Sequence, residues 1–224
     1  EGAVISTTAM QNITLIGDTE IKAEAGASLA ALCRFARDNG LGGLEFAFGI
    51  PGTVGGALYM NAGAYGGDMS MVVKSAESIN GDNQLISRNV GEMALGYRKS
   101  VYDENNEVIT SVVFSLKKGD KTEIGEAMDG FMAKRKNSQP LDFPSAGSTF
   151  KRPEGYFAAA LIDECGLKGY SVGGAEVSRK HAGFVINKDN ATCSDVLGLI
   201  RDIQKIVKEK RGVELHTEVI HIGR

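Results

Sequence analysis

Short runs of alternating apolar and polar residues, broken by turns, dominate the first half of the chain. They predict strands at AVIST (3–7), ITLIG (13–17), TEIKAEAG (19–26), VVKSAESI (72–79) and EVITSVVFSLKK (107–118), all rich in β-branched residues. One helical period interrupts them. In SLAALCRFARDNG (28–40), Leu29, Leu32, Phe35 and Ala36 share a stripe, with Ser28 as N-cap and Gly40 as the stop. Beyond about residue 120 helices alternate with short strands. Ile124, Met128, Phe131 and Met132 recur at helical spacing within 122–136, where Thr122 is the expected cap and the methionines read as core. Segments 156–166 and 194–212 are further helices, the second with Val196, Leu199, Ile200, Ile203 and Val207 on one face. HAGFVINK (181–188) and GVELHTEVIHIG (212–223) read as strands. The polar, turn-rich LKKGDKT places a boundary near 117–121, so the reading is α+β with domains 1–117 and 118–224.

Composition narrows the function. With 25 Lys+Arg against 28 Asp+Glu the chain is near neutral, which argues against a broad cationic face for nucleic acid or anionic lipid. No apolar run approaches the ~18–20 residues of a membrane span, and EGAVISTTAM has no basic stretch followed by a long apolar one. A soluble, unexported protein acting on a small molecule is the expectation. Cys33, Cys165 and Cys193 are an odd set without CxxC spacing, and the three histidines show neither HxH nor HExxH. Neither a disulfide framework nor a metal site is indicated, and a reducing cytoplasm fits. The 29 glycines cluster without a period, which points to loops shaped for a ligand.

Four segments carry candidate chemistry. In FGIPGTVGGALYMNAGAYGGD (48–68), glycines allow positive φ and close backbone approach, as a phosphate or flavin site requires; a tight series of turns packing strand on strand explains them equally. The GxxGxxGG spacing is not a Rossmann fingerprint. In GYRKSVYD (96–103), Arg98 offers a guanidinium fork to a carboxylate or phosphate, or forms a surface ion pair. In QPLDFPSAGSTFKRPEG (139–155), Ser148 sits on a proline-bracketed turn near Lys151 and Arg152, where positive charge eases loss of its proton; a purely structural turn competes. Ser148 to Lys151 also spells SxxK, the nucleophile motif of penicillin-recognising serine hydrolases, but Pro153 follows and the companion SDN and KTG are absent. In ELHTEVIHIG (214–223), strand alternation puts Glu218 on one face with Ile220 and Ile222, where a carboxylate is either paired or raised in pKa for proton work.

Taken together and in order, GIPGTVGGALYMNAGAYGG, YR, PSAGSTFKRP, GLKGYSVGGAEVSRKHAGFVIN and ELHTEV strongly resemble the UDP-N-acetylenolpyruvoylglucosamine reductase (MurB) family, in its compact type II branch. The resemblance runs the length of the chain. It implies an FAD-binding domain of the vanillyl-alcohol-oxidase-like (PCMH) type followed by a smaller α+β substrate-binding domain. It implies an enzyme of peptidoglycan precursor synthesis in the bacterial cytoplasm, using FAD and NADPH to reduce UDP-N-acetylglucosamine enolpyruvate to UDP-N-acetylmuramate. The family's catalytic trio matches Arg98, Ser148 and Glu218: Ser148 as proton donor to the α-carbon, Arg98 and Glu218 stabilising the enolate-like intermediate. Its flavin-cradling loop matches Gly49, Pro51, Gly52, Gly55, Asn61, Gly63 and Tyr65. Tyr97, Lys151 and Arg152 match positions for gripping the substrate carboxylate or diphosphate, and at Gly183 the branch more usually has Asn. The family opens with a GxGSN-type flavin pyrophosphate loop, and this sequence starts after that place. The resemblance therefore implies a truncated front domain, weak flavin binding, and an apolar face on residues 1–70 that favours self-association. A non-catalytic UDP-sugar-binding module is the alternative of a different class.

Overall fold

The computed structural model describes residues 4–222 and separates into two compact units, Glu1–Ala133 and Lys134–Arg224. In the first, strands β1 (Ile13–Leu15) and β2 (Glu20–Glu24) precede helix α1 (Leu29–Asp38) and the short β3 (Leu41–Gly42). Helix α2 (Val54–Tyr59) and the hairpin β4 (Gly63–Ala64) and β5 (Gly67–Asp68) come next, then β6 (Val73–Ile79), β7 (Leu85–Asn89), α3 (Tyr102–Asn105), β8 (Val108–Ser115) and β9 (Lys117–Lys118). The long strands form one antiparallel sheet in the order β1-β2-β8-β6-β7. Alternation decides its faces. Ile21, Ala23, Val112, Phe114 and Ala76 join Leu29, Leu32, Ala36, Val54 and Leu58 of α1 and α2 in one core. The opposite face carries Lys22 paired to Glu77 at 2.7 Å, with Ser111 donating to the same carboxylate. Ser28 caps α1 as expected, accepting from the Ala31 N–H, and Gly40 just beyond its end has φ +67°.

Helix α4 (Lys121–Ser138) begins in the first unit, with Ile124 and Met128 in that unit's core. The division between units therefore falls at 133, inside a helix, rather than in the polar turn at 117–121. Asp120, not Thr122, caps this helix, accepting from the N–H groups of Thr122 and Glu123. No strand forms over residues 4–7, and Ala3 lies outside the described residues.

The second unit holds a four-stranded antiparallel sheet in the order β10 (Ser145–Ser148), β13 (Phe184–Asn187), β12 (Ala175–Val177) and β11 (Ser171–Val172). Helix α5 (Ala158–Glu164) and helix α6 (Cys193–Arg211) build its core from Leu161, Ile162, Leu199, Ile200, Ile203 and Val207. A Thr192–Asp195 capping box starts α6 and Gly212, at φ +69°, ends it. The expected closing strand is corrected: residues 213–222 are irregular, joined to the sheet by a single bridge from Thr217 to Phe150, and Gly223 lies outside the described residues. No regular ladder holds its alternation. Ile220 and Ile222 are 75% and 88% exposed, so the apolar face expected around Glu218 is absent.

Candidate active site

The glycine-rich stretch is more than turns. Thr53 caps α2, its hydroxyl accepting from Gly56 N–H, and Val54, Ala57 and Leu58 point into the core. Docking of this helix onto the end of β2 occupies its first N–H groups: Val54 donates to Ala27 O and Gly55 to Ala25 O, both at 2.8 Å. The Gly55 N–H is thus engaged within the fold rather than open to a ligand. Gly55 is a packing residue, since a Cβ there would stand 2.9 Å from the Ala25 Cβ. Gly63 is likewise constrained by its hairpin partner, with Asp68 Cβ and Gly67 O both 2.8 Å from such a Cβ.

Other parts of the loop lie open. Gly52 (φ +147°) and Gly66 (φ +88°) would meet nothing within 4 Å if they carried a Cβ, and Pro51 is exposed. Gly49 has φ +93°, and Tyr65, at φ +54°, stacks on Phe131 with ring centroids 4.7 Å apart while remaining 40% exposed. This exposed, glycine-opened backbone beside an aromatic ring fits a flat redox group lying against it. Gly49, Pro51, Gly52 and Tyr65 lie along this stretch.

Asn61 has a different office. It is buried at φ +40°; its amide nitrogen donates to Gly96 O and its oxygen accepts from Ser70 N–H, each at 3.0 Å. Gly96 and Lys99 close a tight reverse turn, with Arg98 at its tip in the left-handed region, φ +53°. The Arg98 guanidinium donates to Gly63 O at 3.2 Å and sits over the exposed Tyr97 ring, 5.2 Å from its centroid. The buried Ser100 hydroxyl donates to Tyr59 O at 2.6 Å. The two segments singled out from sequence, 48–68 and 96–103, are thus one braced structure that presents Arg98. A left-handed non-glycine residue held by flanking hydrogen bonds is the kind of local strain that functional loops retain.

In the second unit, Ser148 lies not on a turn but at the end of β10, exposed. Ser145 pairs with Ile186 and Ser148 with Phe184, so three residue steps on one strand oppose two on the other, a β-bulge. Gly147 takes φ +80° inside it, which explains the Ala-Gly-Ser spelling: the bulge needs a left-handed residue immediately before the serine it aims. A serine on an extended strand with Lys151 outside any helix removes the SxxK hydrolase reading.

Thr149, next along, is buried and turned the other way, onto a cavity of about 560 Å3 that it lines with Val185, Ile200 and Thr217 but not Ser148. Its N–H donates to Gly183 O, and its C=O accepts from Glu218 N–H, both at 2.9 Å; Lys151 N–H donates to His216 O. These bonds bring Ser148, Lys151 and half-buried Glu218 onto one framework, although Glu218 rides an irregular segment rather than a strand. Arg152 is held over the Phe157 ring at 3.9 Å and donates to Tyr156 O. His181 accepts from Gly183 N–H through Nδ1, and burial holds its imidazole below the ordinary 6.5; the lysine at 168 adds to the effect. Added bulk at Gly183 would crowd the same ring, with a Cβ only 3.1 Å from His181 Cε1.

Thr149, Ser100 and the bracing role of Asn61 escaped the sequence reading. The only local signal was for Asn61, since asparagine tolerates the left-handed region better than most residues.

Residues 139–222 match the family model described as UDP-N-acetylenolpyruvoylglucosamine reductase, C-terminal domain, and residues 1–88 match an FAD binding domain. The UDP-N-acetylenolpyruvoylglucosamine reductase of Caldanaerobacter subterraneus subsp. tengcongensis is 50% identical over 99% of this chain and 73% of its own length. That of Clostridium perfringens strain SM101 is 48% identical over 100% of this chain and 73% of its own. Among solved structures, the enzyme of Thermus caldophilus superposes with a TM-score of 0.82 at 38% identity, covering 94% of this chain and 74% of that one. The mixed α/β architecture, an FAD-binding region of the PCMH type and a small second domain, agrees with what the sequence resemblance implied. With half its residues shared along nearly its whole length, the chain belongs to the UDP-N-acetylenolpyruvoylglucosamine reductase family.

Proposed function

We propose that the chain reduces the enolpyruvyl ether of UDP-N-acetylglucosamine to the lactyl ether of UDP-N-acetylmuramate, with NADPH as reductant and FAD as cofactor, in the cytoplasm of a bacterium making peptidoglycan. The reaction consumes NADPH and one proton: the C=C π bond breaks, a hydride adds at the β-carbon, a proton adds at the α-carbon, and NADP+ leaves. FAD, when bound, supplies the two-electron link between NADPH oxidation and reduction of the double bond.

The chain's own residues handle charge and the proton. As electrons enter the double bond, negative charge grows on the substrate carboxylate, and the Arg98 guanidinium, fixed on its braced turn, stabilises it. Ser148 gives its hydroxyl proton to the α-carbon once that carbon is carbanionic and then recovers one from solvent; Lys151 and Arg152 close by in sequence ease the transient alkoxide. Glu218, its backbone tied to Thr149, is the second group that attends the enolate-like intermediate. Tyr97, Lys151 and Arg152, all exposed, hold the carboxylate and diphosphate. Among the described residues no helix is long and apolar enough to cross a membrane.

The observation that carries this reading is the bulge at 145–148, which turns Ser148 outward while Thr149 ties its strand to the Glu218 backbone. The test follows flavin absorbance anaerobically. NADPH bleaches the FAD-loaded chain, and the enolpyruvyl substrate restores the colour. Ser148→Ala still bleaches but recovers roughly 10²- to 10⁴-fold more slowly, the usual worth of a general acid. Equal loss of both halves refutes the donor role, and substrate binding by wild type without any bleaching favours the binding-module alternative.

A further inference from the structure

The bulge that aims Ser148 is tied to the neighbouring strand by a side chain. An extra residue lies on β10 between the Ser145 and Ser148 pairs, opposite Val185 of β13. The Thr149 hydroxyl reaches across to that strand, accepting from Val185 N–H at 3.1 Å in a buried setting. The same residue donates its N–H to Gly183 O and receives the Glu218 N–H on its carbonyl. We propose that Thr149 is a positioning residue for the reduction: its hydroxyl locks the bulge that sets the Ser148 hydroxyl, and its carbonyl fixes Glu218 relative to that serine.

The proposal rests on the reading of Ser148 and Glu218 given above and extends it to a residue that touches no substrate. Valine has nearly the volume of threonine and the same β-branched preference for extended backbone, so Thr149→Val removes the acceptor and little else. The Val185 N–H then loses its side-chain acceptor, and the bulge relaxes toward an in-register pairing that swings Ser148 out of its setting. A misplacement of an ångström or less costs up to roughly 10²-fold in rate, so proton delivery slows about ten- to a hundredfold.

Thr149→Val, Thr149→Ser and Ser148→Ala are compared in the FAD-loaded chain by stopped flow, with amide hydrogen exchange as a readout independent of turnover. In Thr149→Val, reduction of the flavin by NADPH stays at the wild-type rate, its reoxidation by substrate slows at least tenfold, and the Val185 amide exchanges faster. Thr149→Ser, which keeps the hydroxyl, restores both to within about threefold of wild type. Wild-type reoxidation in Thr149→Val beside a blocked Ser148→Ala overturns the positioning role and leaves the donor reading intact. Wild-type reoxidation in Ser148→Ala overturns the donor reading and this proposal with it. Equal slowing of both half-reactions marks Thr149 as merely structural and overturns it too. Should Thr149→Val fail to fold, Thr149→Cys, of similar volume and a poor acceptor, is read against the same outcomes.

Discussion

Replacing Gly55 by alanine separates two explanations of the glycine-rich loop. If Gly55 exists to let a ligand approach the backbone, the ligand-free protein has no reason to notice a methyl group. The structure says otherwise: the new Cβ stands 2.9 Å from Ala25 Cβ, 3.2 Å from Ala25 O and 3.4 Å from Ala25 Cα. Carbon pairs rest at about 3.5–4.0 Å, so helix α2 must retreat by more than half an ångström. Its retreat is opposed by the 2.8 Å bonds of Val54 and Gly55 to residues 27 and 25 and by the Leu29 N–H to Gly52 O bond at 3.1 Å. Overpacking of this kind costs about 1–3 kcal/mol. Alanine returns up to ~1 kcal/mol over glycine inside a helix, and less at this second helical position. The net loss is about 1–2 kcal/mol, which for a unit of this size lowers Tm by roughly 3–10 °C. Thermal and urea unfolding of the flavin-free chain measure it. A Gly55→Ala protein that melts at or above wild type while its flavin affinity collapses would refute the packing argument.

Three further outcomes follow from the same geometry. Asn61→Ala leaves the Gly96 carbonyl with only its 3.3 Å bond from Lys99 N–H, whereas Ser70 N–H keeps Asp68; stability drops by about 1 kcal/mol and substrate KM rises as the Arg98 turn loosens, with flavin affinity little changed in a titration. Gly147→Ala meets no neighbour within 4 Å, so its cost is backbone strain alone at φ +80°, about 1–2 kcal/mol, seen as a lower urea midpoint together with slower substrate reduction. His181 is held below its ordinary 6.5 by burial, and its Nδ1 must stay unprotonated to accept from Gly183, so the unfolded chain takes up the proton first. Stability is therefore full above pH 6.5 and falls as pH drops through 6.5 toward the lower folded value; urea midpoints at pH 7.5 and 5.5 should differ in wild type and converge in His181→Asn.

What the sequence disclosed and what it hid divide along the range of the forces involved. Helix α1 was legible because its cap, stripe and stop lie within 13 residues of each other, and α6 because its apolar stripe runs unbroken along one segment. The alternation of β2 and β8 was legible because one face of their sheet is a core and the other carries Lys22, Glu77 and Ser111. The closing segment shows the limit of that logic. Its alternation is as regular as that of β2, but a strand needs a ladder, and only Thr217 finds a partner, in Phe150. The same limit governs the site. Arg98, Ser148 and Glu218 could be named from motifs, yet nothing local says that Arg98 would adopt φ +53° or that Ser148 would follow a bulge. Both conformations are imposed from outside the motif. Asn61, 35 residues before Gly96, holds the Arg98 turn, and Val185, 36 residues beyond Thr149, donates to its hydroxyl beside the bulge. Chemistry-bearing residues are thus readable one by one, whereas the residues that aim them become visible only through partners distant in sequence. Asn61 and Thr149 each carry a polar group whose bonds are wholly internal, and it is there, rather than at the exposed serine, that small changes of side chain should separate rate from binding.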